Sequence, residues 1–112
     1  MSETITLKAA DGHSFPAYVA KPAGKAKGGV VVLQEIFGVN AHIRDVTRRV
    51  AAEGYVAIAP DYFFRTAPGL ELGYDEKGMA TGIGNLMMQN ADEMISDAKD
   101  TIAYLRSRPD VE

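Results

Sequence analysis

Residues Val30 to Leu33 form an unbroken apolar run, and Gln34 and Glu35 follow it directly. Such a run has no polar face to offer water, so it suits a strand covered on both sides, as strands of parallel sheets are. Gly38 and then Asn40 come next, a turn residue and a favoured helix N-cap. A strand within residues 28–34 therefore delivers a carboxylate and several backbone N–H groups to one edge of a sheet. In open α/β sheets that edge, at the carboxyl ends of the strands, is where ligands bind.

The flanking sequence supplies the rest of such a sheet. Thr4 to Lys8 alternates polar and apolar residues, Asp11-Gly12 signals a tight turn, and Phe15 to Ala20 reads as the returning strand of a hairpin. Pro16 is expected to confine that strand to an edge or to its own first residues. After Asn40, helical spacing places Ile43, Val46, Val50 and Ala51 on one face, with Arg44, Asp45, Arg48, Arg49 and Glu53 opposite. Gly54 ends the helix, and Tyr55 to Ala59 is a second buried strand closed by Pro60-Asp61. Strand, helix and strand make one right-handed parallel βαβ unit.

Residues 61–90 give no regular pattern: the glycines at 69, 73, 78, 82 and 84 interrupt any long element, which leaves a functional loop or a short-helix lid. Met94, Ile95, Ala98, Ile102 and Leu105 then line one side of a helix capped by Asn90 or Asp92, with Pro109 past its end. The expected order is β-β-β-α-β-loop-α. A helix after a parallel strand ordinarily crosses to another strand, and residues 110–112 are too short to be one. The 112 residues are thus expected to form a single, incomplete α/β domain.

Composition narrows the function classes. Twelve basic against 15 acidic residues give a net charge of −3, which argues against a nucleic-acid footprint or a polybasic membrane patch. There is no cysteine, hence no disulfide and no thiolate metal site. The acidic start, Met1-Ser2-Glu3-Thr4, lacks the features of a signal peptide, so a cytoplasmic location is expected.

The string Gln34-Glu35-Ile36-Phe37-Gly38-Val39-Asn40, with Ile43-Arg44-Asp45 and the stretch from Gly54-Tyr55 to Pro60-Asp61 behind it, resembles the dienelactone hydrolase family. The likeness extends to the Asp11-Gly12 hairpin and the Ala67-Pro68-Gly69 turn. It implies an α/β-hydrolase fold and hydrolysis of an ester or lactone through a covalent acyl-enzyme, with no cofactor. By resemblance, Glu35 matches the glutamate that contacts the nucleophilic thiol and helps generate the thiolate. Ile36 matches the residue whose backbone N–H is half of the oxyanion hole. Family members continue with a nucleophile elbow, usually Gly-x-Cys-x-Gly, then an aspartate and a histidine, and none of these occurs here. An arginine that holds the substrate carboxylate in the family archetype is also missing from Lys77 to Met79. The resemblance therefore describes a half-site, inactive alone. It also places the Val30–Leu33 strand between the Val56–Ala59 strand and the nucleophile strand. An edge left bare there implies a complementing chain, self-association or marginal stability. The alternative is a non-catalytic binding or assembly module built on the same fold.

Each candidate residue also has a plainer reading. Glu35 could be a strand-end carboxylate bonded to nearby backbone, and Ile36 a side chain packed under the turn. His42 reads as a solvated histidine in a helix's first turn, and His13 as a surface residue; no spacing joins them to acids as a metal site. Ser2, Ser14, Ser96 and Ser107 fall in a tail, a turn and a helix, none on an elbow. Tyr62, Phe63 and Phe64 are expected to pack their loop down, with Arg65 paired at the surface. Met79, Met87, Met88 and Met94 are expected to fill the core.

Overall fold

The computed structural model describes residues 2–9, 12–63, 71–109 and 111. Asp11, Phe64, Arg65, the Ala67-Pro68-Gly69 turn, Asp110 and Glu112 lie outside the described residues.

The elements are β1 (Ser2–Lys8), β2 (Ser14–Ala20), β3 (Gly29–Val31), α1 (Ala41–Ala52), β4 (Val56–Pro60), α2 (Glu76–Met87) and α3 (Ala91–Ser107). The strands form one sheet in the order β1-β2-β4-β3. The hairpin pairs antiparallel from Ser2↔Ala20 to Lys8↔Ser14. β2 pairs antiparallel with β4, and β3 pairs parallel with β4 from Gly29↔Val56 to Val31↔Ile58. The ladder runs one residue further, since Val32 N–H donates to the Ile58 carbonyl at 2.8 Å. This is the α/β sheet expected from the sequence, with α1 as the crossover.

Strand alternation divides the sheet into two faces. Phe15, Ala17, Val19, Val56 and Ile58 share a core with Leu7 and with Leu105 of α3. The intervening Tyr18 meets α1 instead, where Arg48 donates to its hydroxyl at 2.9 Å. Ala57 and Ala59, both wholly buried, alternate with Val56 and Ile58 and so offer α1 a shallow bed. α1 starts at the expected cap: the Asn40 side-chain oxygen accepts from Ile43 N–H at 3.1 Å. It ends before Gly54, whose φ of 103° is a left-handed conformation that glycine adopts without strain.

Several expectations are narrowed or corrected. β2 is an interior strand, so of the two places expected for Pro16 it takes the second, among the strand's first residues. The Pro16 carbonyl accepts from Asp61 N–H at 2.9 Å, so its donorless nitrogen faces the last rung of the β2–β4 ladder, where little is lost. The Val30–Leu33 run is less covered than its apolar sequence suggests, with Val30 to Val32 only half-buried and Leu33 63% exposed, while the outer edge of β3 has no partner strand among the described residues, as expected of an incomplete sheet. α2 is a regular 12-residue helix, and its glycines do not interrupt it. Gly78 and Gly82, one turn apart, are its buried residues. On α3 the buried line is Asp97, Thr101 and Leu105, while Ile95 and Ile102 of the expected stripe are exposed. Met79, Met87 and Met88 are exposed and fill no core. Ser2 and Ser14 begin strands, where the sequence suggested a tail and a turn.

Candidate active site

β3 and β4 run parallel, so both leave the sheet at the same edge, one toward Gln34-Glu35 and the other toward Asp61-Tyr62-Phe63. Gln34 ties the two exits together. Its side-chain oxygen accepts from Tyr62 N–H at 2.8 Å, and its amide nitrogen donates to the Glu35 carbonyl at 3.1 Å. Asp61 is buried and accepts from Phe63 N–H at 3.0 Å, which folds Tyr62 and Phe63 down into the protein as expected for their aromatic rings.

The loop after β3 closes on itself. Gly38, at φ 83°, turns the chain so that its N–H donates to the Glu35 carbonyl at 3.1 Å. The oxygen of the Glu35–Ile36 peptide therefore takes two donors, from Gly38 and Gln34. In a planar trans peptide the N–H points opposite to the oxygen. The Ile36 N–H is thus aimed away from the loop, and no acceptor takes it among the described residues. Phe37 is buried beneath.

A returning segment lies along this loop. Leu72 N–H donates to the Phe37 carbonyl at 2.9 Å, and Gly38 bridges to Glu71. Arg44, on the first turns of α1, reaches both parts, donating to the Val39 carbonyl at 2.9 Å and pairing with Glu71 at 2.9 Å. The next residues bring Tyr74 to Glu35, where the phenol donates to Oε1 at 2.9 Å. Asn40 Nδ2 donates to the same phenol oxygen at 3.2 Å. The Tyr74 ring lies 4.4 Å from that of Phe37, centroid to centroid, and 6.2 Å from that of His42, nearly perpendicular to it. Partial burial raises the Tyr74 phenol above its usual range, and the Glu35 carboxylate adds to this, while donation from Asn40 works against it. The phenol therefore keeps its proton at neutral pH.

Asp75 follows and caps α2, accepting from Gly78 N–H at 2.6 Å. α2 sits on the loop through bare backbone: a Cβ on Gly82 would lie 2.5 Å from the Ile36 carbonyl oxygen, and one on Gly78 would fall on the Gly73 carbonyl. Only glycine admits this approach.

The two residues singled out in the sequence, Glu35 and Ile36, thus share one peptide unit at an open edge, the carboxylate exposed and the N–H unclaimed. Such a pair offers a proton acceptor and an oxyanion donor to a group arriving from outside. His42 is exposed in the first turn of α1 and His13 is exposed beyond β1, as read from the sequence. No group of three or more potential metal ligands converges among the described residues. Sequence reasoning missed Tyr74 altogether and saw Asn40 only as a cap; Gly73 and Asp75 mark a turn around Tyr74 but carry no hint of its partner.

Residues 15–112 match the sequence model of the dienelactone hydrolase family. The chain belongs to that family. A provisionally named carboxymethylenebutenolidase of Synechocystis sp. is 50% identical over 95 residues, covering 84% of this chain and 39% of that protein. The carboxymethylenebutenolidase of Pseudomonas putida is 34% identical over 110 residues, covering 97% and 47%. A provisionally assigned dienelactone hydrolase of Klebsiella pneumoniae superimposes with a TM-score of 0.72 at 29% identity, over 95% of this chain and 44% of that one. The chain thus spans less than half the length of these dienelactone hydrolase relatives. Among the described residues, no helix is long and apolar enough to cross a membrane.

Proposed function

We propose that this chain is the supporting half of the active site of a hydrolase that opens an ester or lactone. The nucleophile, cysteine or serine on an elbow, lies outside the 112 residues, together with the aspartate and histidine of its triad. Glu35 accepts the nucleophile's proton, and the resulting thiolate or alkoxide attacks the substrate carbonyl carbon. The Ile36 N–H, with a second N–H from the residue after the nucleophile, holds the oxyanion of the tetrahedral intermediate. Its collapse breaks the ester C–O bond and the leaving oxygen takes up the proton that Glu35 had accepted; water, giving its proton to the triad histidine, then hydrolyses the acyl-enzyme, and that proton returns to the nucleophile as it leaves.

One observation carries this reading: the Glu35–Ile36 peptide is pinned by two donors on its oxygen, and its N–H, beside the carboxylate, meets no acceptor among the described residues. The family membership and the carboxymethylenebutenolidase names of the relatives supply the reaction class. Among the described residues the outer edge of β3 has no partner strand and Leu33 beside it is exposed, which supports a nucleophile-bearing segment docking there, whether continuous with this chain or supplied in trans. Without that segment the chain is expected to hydrolyse esters no faster than buffer and to associate through the edge.

The test is ester hydrolysis by the chain alone and by the chain completed with a nucleophile-bearing segment. Completion should bring turnover, and Glu35→Ala should lower it by about 100-fold or more. Turnover that survives Glu35→Ala, in a preparation free of host esterases, overturns the assignment. The nucleotide sequence beyond the Glu112 codon discriminates most cheaply against the module reading: Gly-x-Cys-x-Gly or Gly-x-Ser-x-Gly, in frame or shifted, favours the hydrolase.

A further inference from the structure

The Asn40–Tyr74–Glu35 chain of hydrogen bonds has a direction that can be derived. Ile43 N–H belongs to the first turn of α1, where the helix itself offers no acceptor. The Asn40 side chain must therefore turn its oxygen to Ile43, 3.1 Å away, which commits its NH₂ to Tyr74 at 3.2 Å. An amide NH₂ only donates. The phenol oxygen accepts there, and its single proton goes to Glu35 Oε1 at 2.9 Å. The ring is 58% exposed, and its restraints are packing at 4.4 Å on buried Phe37 and the α2 cap at the next residue. Glu35 Oε2 has no partner among the described residues.

We propose that Tyr74 is the positioning residue of Glu35, oriented in turn by the Asn40 amide: the phenol holds Oε1 and thereby presents Oε2 as the atom that takes the nucleophile's proton. The carboxylate is exposed and long-stemmed, so without this grip it samples several rotamers and spends little time facing the nucleophile. The same asparagine thus caps a helix and, two bonds further on, sets the geometry of the proposed base. The inference rests on the hydrolase reading only for the identity of that proton.

The experiment compares Tyr74→Phe and Asn40→Asp. Aspartate caps helices as well as asparagine does, but it cannot donate to Tyr74 and offers the phenol a rival acceptor. In the chain itself, scalar couplings of Glu35 in a glutamate-labelled sample should report one dominant rotamer, and both variants should show averaging while their amide spectra stay otherwise parent-like. In the completed enzyme both variants should lower kcat by about 10- to 100-fold with KM little changed. If Asn40 is only a cap, Asn40→Asp behaves like the parent in both measurements, and the relay is wrong. Parent-like couplings in both variants sink the proposal outright. Full kcat in Tyr74→Phe with turnover abolished in Glu35→Gln also rejects it, while leaving the hydrolase reading intact. Full turnover in Glu35→Gln rejects the hydrolase role of Glu35, and the couplings then decide on Tyr74 alone.

Discussion

β3 and β4 are built from the same kind of sequence and meet opposite fates. Both are short apolar runs, paired to each other in parallel, and they exit at the same edge. β4 lies between β2 and β3, and Val56 to Ala59 are each fully buried. Among the described residues β3 has a partner strand on one side only; Val30 and Val31 are half-buried and Leu33 is 63% exposed. Composition reports the environment a strand is suited to, whereas burial reports the neighbours it has. The contrast recurs around the site, where the β4 exit folds inward on Tyr62 and Phe63 and the β3 exit stands open with Glu35.

The largest effect should separate the two strands directly. Ile58→Ala empties a site with no exposure and should cost about 3 kcal/mol, against about 1 kcal/mol for Val31→Ala on the edge strand, read by urea denaturation. Comparable losses would mean that the outer side of β3 is covered in solution. Along α2 the same contrast divides the glycines. Gly82→Ala gains about 1 kcal/mol of helix propensity but pushes a methyl into the Ile36 carbonyl, for a net loss of up to about 2 kcal/mol. Gly84→Ala meets nothing within 4 Å and should stabilise by up to about 1 kcal/mol. A Gly82→Ala protein as stable as the parent would show that α2 is not seated on the loop.

Third comes Tyr62, whose buried hydroxyl has no hydrogen-bond partner among the described residues. Burial, helped by the charge of Asp97, pushes its phenol up to about 12. The folded state holds this proton after the unfolded chain has begun to release it, so the contribution is complete below pH 10 and is lost as pH rises from about 10 to about 12. Tyr62→Phe should remove that alkaline decline and raise stability at neutral pH by up to about 1 kcal/mol. An unchanged alkaline unfolding profile would contradict the burial of the hydroxyl. The smallest change in stability, within about 0.5 kcal/mol, is expected for Leu33→Lys, which should instead reduce concentration-dependent association in sedimentation velocity.

The sheet was legible because its signals are local. A hairpin alternation, an Asn40 cap, a Gly54 stop and two apolar runs each act within a few residues, and the βαβ rule joins them. The α2 helix was not, because glycine has two uses that look alike in sequence. Gly78 and Gly82 are small where a helix must touch backbone, and only the partner surface reveals it. The buried faces of α1 and α3 were read only in part, Ile43, Ala51 and Leu105 correctly, for a related reason. Thr47 and Thr101 count as polar, yet each hydroxyl donates to its own helix, to Ile43 O at 2.7 Å and Asp97 O at 2.8 Å, so that the residue buries like a valine. At the site, the Gln34–Asn40 string located Glu35 and Ile36, but Tyr74 arrives from 39 residues away through tertiary structure alone.

Gln34 carries one last consequence. Where the main-chain ladder between β3 and β4 runs out, its side-chain amide stands in for a peptide group, receiving from one exit and donating to the other. The sheet is in effect longer by one rung, made of a side chain. Glutamate would match its shape but would set an oxygen against the Glu35 carbonyl, and lysine could donate but never receive. A primary amide alone supplies both polarities at that reach, so the stiffness of the sheet extends to the very peptide whose N–H is left unclaimed.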